Sequence, residues 1–447
     1  AVLALIMPGA IASAQTPTAT EPDLTGLKTY MIDHADAMKA GTAELVALAQ
    51  QYHDLVAQAN GDYAALWQQH GKDLAPWLEQ ARSVWIEQAH GNYERIEGMV
   101  AGIPSLSHFD DEIDAGANKE DDPTGAPNLQ VTLPDGTVLD RPGNFFHYLT
   151  EPALWGTNDA FVALRVDLNG DGTVAPTEAL PDANLLLGSA QALDARTADL
   201  ETAIAGWQPN DSDAFTALVV MIPTMSGYFE EWKLSPFVLG DKSTSQGFVA
   251  NSRLLDVLGI LGGLDVTYDR LAPLVDTADP ALQTEIRDEL DGLVAFVQDL
   301  HDQEDAGTRF TPDQADLFGN ELQSRATALA GRLSIWAEIP FTTIPRKDCH
   351  SFPSITALPP HKTQTLRYHE ERGPPAFVPL PVEQMEQSHA SKHTELSPIQ
   401  ALPGNRHLFL FHLFHFAPNP LIPFARKWNK VKRSTCSTSG PRHNRQK

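Results

Sequence analysis

Cysteine is nearly missing from this chain: Cys349 and Cys436 are the only two in 447 residues. Everything before Cys349 therefore lacks a disulfide framework and a thiolate metal site. Basic residues are scarce as well, with 32 Lys/Arg against 58 Asp/Glu and a formal net charge of −26. The imbalance is sharper before residue 346, because residues 346–447 carry 15 Lys/Arg and only 6 Asp/Glu. A body this acidic repels phosphates, so nucleic acid is excluded as a partner, and cations are attracted. Beyond the N-terminal residues no apolar run is long enough for a stable membrane span. Neither H-E-x-x-H nor a Ser/His/Asp set is present, so no peptidase chemistry can be read from motifs alone.

What is present divides the chain. Residues 1–14 form an apolar run ending in Ala12-Ser13-Ala14. This pattern reads as the remnant of a signal peptide, and the expected compartment is periplasmic or secreted. Residues 15–26 read as a Thr/Pro/Ala-rich linker, and 27–344 as the folded body. Residues 345–447 are basic, aperiodic and rich in Pro and Ser, with nine of the sixteen histidines. They are read as a disordered or non-native tail, such as out-of-frame translation, and carry no functional expectation.

Within the body, Leu45, Leu48, Tyr52, Leu55 and Val56 recur at three and four, as do Leu66, Trp67, Leu74, Trp77 and Leu78. Helix is expected from Leu27 to about Val100 and again over 183–205, 213–232, 252–274, 280–301 and 311–339. Residues 101–128 read as a long loop. Residues 129–139 read as a small β-hairpin turning at Pro134-Asp135-Gly136. The fold class expected is all-α: two packed helical bundles with a β-hairpin insertion.

Two constellations carry chemistry. The first, Asp167 to Glu178, reads D-x-N-x-D-G-x-V-x-x-x-E, the twelve-residue EF-hand calcium loop. Asp167, Asn169 and Asp171 supply oxygens at positions 1, 3 and 5, and Gly172 takes the sharp turn. Thr173 offers its carbonyl, a water serves at Ala175, and Glu178 closes the shell. Val174 is expected to pin the loop to the body. Residues 160–166 are expected to end an entering helix, with Pro176 in the first turn of an exiting one. A lone loop one side-chain ligand short should bind Ca²⁺ weakly, at about 10⁻⁴ to 10⁻³ M.

The second constellation is a stripe on a predicted helix. Glu87, His90, Glu94 and Glu97 fall at i, i+3, i+7 and i+10, an arc of about 80° beside the apolar residues Trp85, Ile86, Tyr93 and Ile96. A Glu-x-x-His pair facing a bundle interior can hold a metal, and the alternative is a solvated charged face. His147 and Glu151 form a second His/Glu pair, with Pro152 biasing Glu151 away from helical geometry.

Here the chain resembles the imelysin-like family, which includes EfeO-type periplasmic iron-uptake proteins. Tyr93-Glu-Arg-Ile-Glu97 is similar to the family's Y-E-x-I-E helix, and Asp111-Glu-Ile-Asp114 stands where its I-D segment lies. Asn144 to Gly156 is similar to its G-F-H-x-I-E-x-x-L-W segment. Phe248 to Asp256 and Gly263 to Tyr268 resemble its second-half signature. The resemblance implies a periplasmic two-bundle protein with a metal site built around H-x-x-E. In this chain the spacing from His147 to Glu151 is one residue longer, which still shares a helical face.

Taken together, the expectation is a non-enzymatic metal-handling protein whose partners are metal ions, with room for a periplasmic or membrane-bound partner protein that the sequence does not name. Ca²⁺ would bind at 167–178, and a transition metal (iron, copper or zinc) at Glu87, His90, Glu94, His147 and Glu151. The alternatives are a calcium-stabilised binding or scaffold module and an imelysin-type metallopeptidase.

Overall fold

The computed structural model describes residues 22–337. The signal-like segment, the tail and both cysteines lie outside the described residues. Helix α1 (Thr25–Gln58) buries Leu27, Met31, Ala35, Met38, Leu45, Leu48, Tyr52 and Val56, the three-and-four stripe expected of a core-facing helix. The left-handed Asn60 and Gly61 reverse the chain, and Asp62 accepts the Ala65 N–H to cap α2 (Tyr63–Ser83). The backbone then runs through a π-helical segment, Val84–His90, into α3 (Gly91–Gly102).

Residues 101–128 are not a plain loop. They contain the short helix α4 (Ser107–Asp110) and a second π-helical segment, Asp111–Ala115. The expected hairpin is present as β1 (Gln130–Thr132) and β2 (Val138–Asp140), paired antiparallel. Val131 and Leu133 are buried and Leu139 is half-buried against the core, whereas Val138 is 52% exposed. A third π-helical segment, Phe146–Thr150, leads into α5 (Glu151–Trp155), which the left-handed Gly156 ends.

The surroundings of the 167–178 loop differ from expectation. It is flanked by the antiparallel strands β3 (Val162–Arg165) and β4 (Ala179–Pro181), not by helices. The expected entering helix would be only a few residues long, with Phe161, Val162 and Val166 favouring a strand, and Pro176 and Pro181 leave no room for an exiting one. Val174 is 52% exposed and does not anchor the loop. Glu178 is the buried residue of this segment.

The remaining elements are α6 (Ala183–Gly206), α7 (Asp211–Met221), α8 (Met225–Leu234), α9 (Pro236–Leu239), α10 (Arg253–Ala278), α11 (Pro280–Asp305) and α12 (Pro312–Ala337). Pro223, which has no N–H to give, divides the predicted 213–232 helix into α7, a 3₁₀ turn and α8. Helices α1, α2, α3 and α6 pack together, as do α7, α8, α10, α11 and α12. Helix α3 is the seam, lying against α1 on one side and α7 and α10 on the other. Two glycines let α10 press onto α3. A Cβ on Gly259 would sit 2.9 Å from Glu94 Cβ, and one on Gly263 would overlap the Arg95 carbonyl. No described helix is long and apolar enough to cross a membrane.

Candidate metal centre

At this seam the three π-helical segments converge, each contributing one side chain: His90, Asp114 and His147. π-Bulges are uncommon and recur at functional sites, because widening one turn re-aims a side chain. All three residues are at most 4% exposed. His147 Nε2 lies 3.0 Å from Asp114 Oδ1, and His90 Nε2 lies 3.6 Å from the same oxygen. Glu94, one turn along α3, places Oε1 2.9 Å from His90 Nε2. Ligand atoms about 2.1 Å from a tetrahedral ion lie roughly 3.4 Å from one another, so these separations need little adjustment to enclose one.

The polar bookkeeping of the cluster is incomplete. His90 Nε2 and Glu94 Oε1 face each other at 2.9 Å, while Oε2 of Glu94 and Oε2 of Glu97 are buried without a hydrogen-bond donor. Orphaned buried polar atoms cost about 1–3 kcal/mol each, more for charged groups, so two carboxylate oxygens in one place need an explanation. A shared proton or a cation would each supply one.

Glu151 has a different part. Its Oε2 lies 2.7 Å from His147 Nδ1, on the side of the ring away from Asp114. It also accepts the backbone N–H groups of Phe248, Val249 and Ala250. An imidazole held at Nδ1 by a carboxylate presents Nε2 in a fixed orientation, the usual support of a metal-binding histidine. Glu151 therefore fixes the His147 ring and straps the 248–250 segment beside it. Pro152 does not push it from helical geometry: Glu151 has φ −64° and ψ −54°, held there by these four partners. Phe248 has φ 58°, a conformation strained for a bulky residue, and its ring centroid lies 4.0 Å from that of His147. Trp85 lies flat on His90 at 4.5 Å and ties its indole N–H to Thr150. The two imidazoles thus sit between aromatic walls.

Glu87 is the expected site residue that the structure does not bring to the cluster. It is exposed and accepts the Ser83 hydroxyl. The π-helical turn is the reason: an i→i+5 turn is wider than an α-turn, so residues three apart no longer share a face. The sequence stripe assumed regular α-geometry through 84–90. Asp114, in contrast, stands out in the sequence only as part of a segment similar to the family's, and its π-helical setting leaves no periodic signal. Arg253, Asp256 and Glu231 complete the surroundings. Arg253 donates to Glu231 Oε2 at 2.9 Å and Asp256 Oδ2 at 2.8 Å, and Asp256 Oδ1 lies 4.0 Å from His90 Nδ1.

Electrostatics follow from this crowding. Burial raises the pKa of Glu94 and Glu97 well above the usual carboxylate range, and their acidic neighbours add to it. Burial and then Asp114 push Asp110 up to about 8. For Asp114 burial works upward, but the charge and hydrogen bond of His147 outweigh it and hold the acid below its ordinary value. Burial opposes charge on His147, yet Asp114 and Glu151 raise it to about 9. His90 is raised likewise, against burial, by Asp114 and Asp256. The centre is one in which protons stand where a cation would.

The 167–178 loop is a separate arrangement. Asp167 accepts the N–H groups of Gly170 and Gly172, Asn169 accepts that of Asp171, and Asp171 accepts that of Thr173. Glu178 reaches back to accept those of Asn169 and Ala175. Gly172, at φ 88°, takes the turn a Cβ would hinder.

None of the curated proteins compared with the chain matches it. The family model for Imelysin matches residues 75–333, which include all three π-helical segments and the seam of α3 with α10. That match covers more than half of the 447 residues, and the chain belongs to the imelysin family.

Proposed function

We propose that the protein is a metal-handling protein that holds a transition metal in the α3 seam, with His90, Asp114, His147 and Glu94 as ligands. The observation that carries this reading is the buried cluster of His90, Asp114, His147 and Glu94 ligand atoms, with Oε2 of Glu94 and Oε2 of Glu97 left without a donor. Two imidazoles with two carboxylates suit iron, zinc or copper better than calcium or magnesium. Glu151 fixes the His147 ring, and the aromatic walls and the 248–250 strap keep water from the ligands. The apolar segment before Ala14 supports a periplasmic or secreted setting, where a periplasmic or membrane-bound partner would exchange the metal. Elemental analysis of the full chain, purified without chelator, tests the reading. A transition metal near one equivalent is expected, falling to background in His147→Ala. Retention in that variant would place the metal elsewhere. Chelator-sensitive cleavage of an unfolded protein substrate would turn the reading toward a metallopeptidase.

A second reading concerns the 167–178 loop, which we propose binds Ca²⁺ through Asp167, Asn169, Asp171, the Thr173 carbonyl and Glu178. The inward turn of the buried Glu178 across the loop favours it. Millimolar Ca²⁺ should raise the melting temperature, since tenfold saturation contributes about 1.4 kcal/mol. Glu178→Ala should abolish the gain; a gain that persists assigns calcium to another place.

A further inference from the structure

We propose that the buried centre is a two-ion site: beside the ion on His90, Asp114 and His147 lies an all-oxygen subsite formed by Glu94, Glu97 and Asp114. This deepens the metal-handling reading above and rests on it. The ligand atoms of Glu94, Glu97 and Asp114 lie within 4.8 Å of one another, and all three residues are buried. Asp114 belongs to both groups and has two oxygens, so it can bridge two ions. Paired ions in such sites stand about 3.5–4 Å apart, a span a bridging carboxylate matches.

Three features point to an ion and not merely to an acidic cluster. Oε2 of Glu94 and Oε2 of Glu97 are unpartnered, although the two residues are 3% and 1% exposed. The other Glu97 oxygen accepts the Tyr228 hydroxyl at 2.5 Å, so the carboxylate is oriented with one oxygen left over. The neighbouring Asp110 is held in the same way by Tyr93 at 2.7 Å. The buried guanidinium of Arg253 donates to Glu231 and Asp256, not to Glu94 or Glu97. One divalent ion held by His90, Asp114, His147 and Oε1 of Glu94 would still leave Oε2 of Glu94 and Oε2 of Glu97 without a partner in a low-dielectric interior. An oxygen-only subsite selects a hard cation such as Mn²⁺ or Fe²⁺, whereas the histidine side accepts softer ions.

Mn²⁺ is the probe. The full chain carrying Glu178→Gln, which removes the surface loop from the count, is titrated with Mn²⁺ and examined by native mass spectrometry and electron paramagnetic resonance. Two ions per chain with an exchange-coupled spectrum are expected. Adding Glu97→Gln should leave one ion with an isolated six-line spectrum, at unchanged helical circular dichroism. One uncoupled ion before that substitution overturns the two-ion proposal but leaves the metal-handling reading intact. No bound ion removes both. A coupled pair that survives Glu97→Gln overturns the subsite as assigned. The coupled spectrum is read without altering any bundle residue, so the test does not depend on the folding of the Glu97 variant.

Discussion

Arg253→Met should destabilise the metal-free protein by about 3–5 kcal/mol, the loss expected when one partner of a buried ion pair is removed. Arg253 is 3% exposed at the start of α10. Its guanidinium carbon stands 4.2 Å from the Phe248 ring and 4.6 Å from that of Tyr228. Its donors meet Glu231 and Asp256. Burial opposes its charge, but Glu231, Asp256, Asp114 and Glu94 raise its pKa well above the ordinary value, so it stays cationic. Methionine refills the apolar volume and leaves the carboxylates facing one another, so the loss reports charge and not packing. Urea denaturation with chelator present measures it. Adding Asp256→Leu to Arg253→Met should recover part of the loss, because removing a whole buried pair costs less than orphaning one member. A loss below about 1 kcal/mol would mean the acids simply take up protons, and would remove Arg253 as the counter-charge of the centre.

The helices were readable because α1, α6, α10, α11 and α12 are long and keep a three-and-four apolar pattern, and periodicity is a sum over many residues. His90, Glu94 and His147 stood out for the same reason that Glu87 misled: a helical wheel assumes one pitch throughout. Three short π-helical segments change that pitch at the three positions where the centre is built. No periodic signal marks a segment of five or seven residues. Asp114 was hidden for a further reason, since it lies in a Gly- and Asp-rich stretch whose composition says loop. The role of Glu151 depends on backbone N–H groups from 248–250, about a hundred residues away in sequence, which no local pattern contains. The 167–178 pattern stands out in the sequence because its residues are contiguous, and calcium binding there is what we propose above. Its flanks do not stand out, since 162–165 and 179–181 are too short to declare a period.

The metal-free protein should lose stability steadily as pH rises from about 6.5 to 8.5, and the metal-loaded protein should not. Asp110 is raised to about 8 in the folded state. Its protonation therefore contributes stability that is complete below its unfolded pKa of about 3.9 and is lost as pH rises through the folded value. His147 is raised to about 9. Its contribution is complete below the unfolded value of about 6.5 and is lost on the way to the folded one. Glu94 and Glu97, also raised, act in the same direction. Asp114 and Glu151 are lowered, so their contribution is present at neutral pH and is lost only in acid. Between pH 6.5 and 8 the shifts thus add without cancelling, at up to about 1.4 kcal/mol per pH unit for each proton. On the proposed function a metal ion would replace these protons, so binding should release them, and the affinity should rise with pH over the window in which the apoprotein weakens. Melting temperatures against pH with and without Zn²⁺ measure the first effect. Titration calorimetry in buffers of different ionisation enthalpy measures the proton release. A flat profile for the apoprotein, or binding without proton release, would show that the acids at the α3 seam are already ionised and that no ion takes the place of their protons.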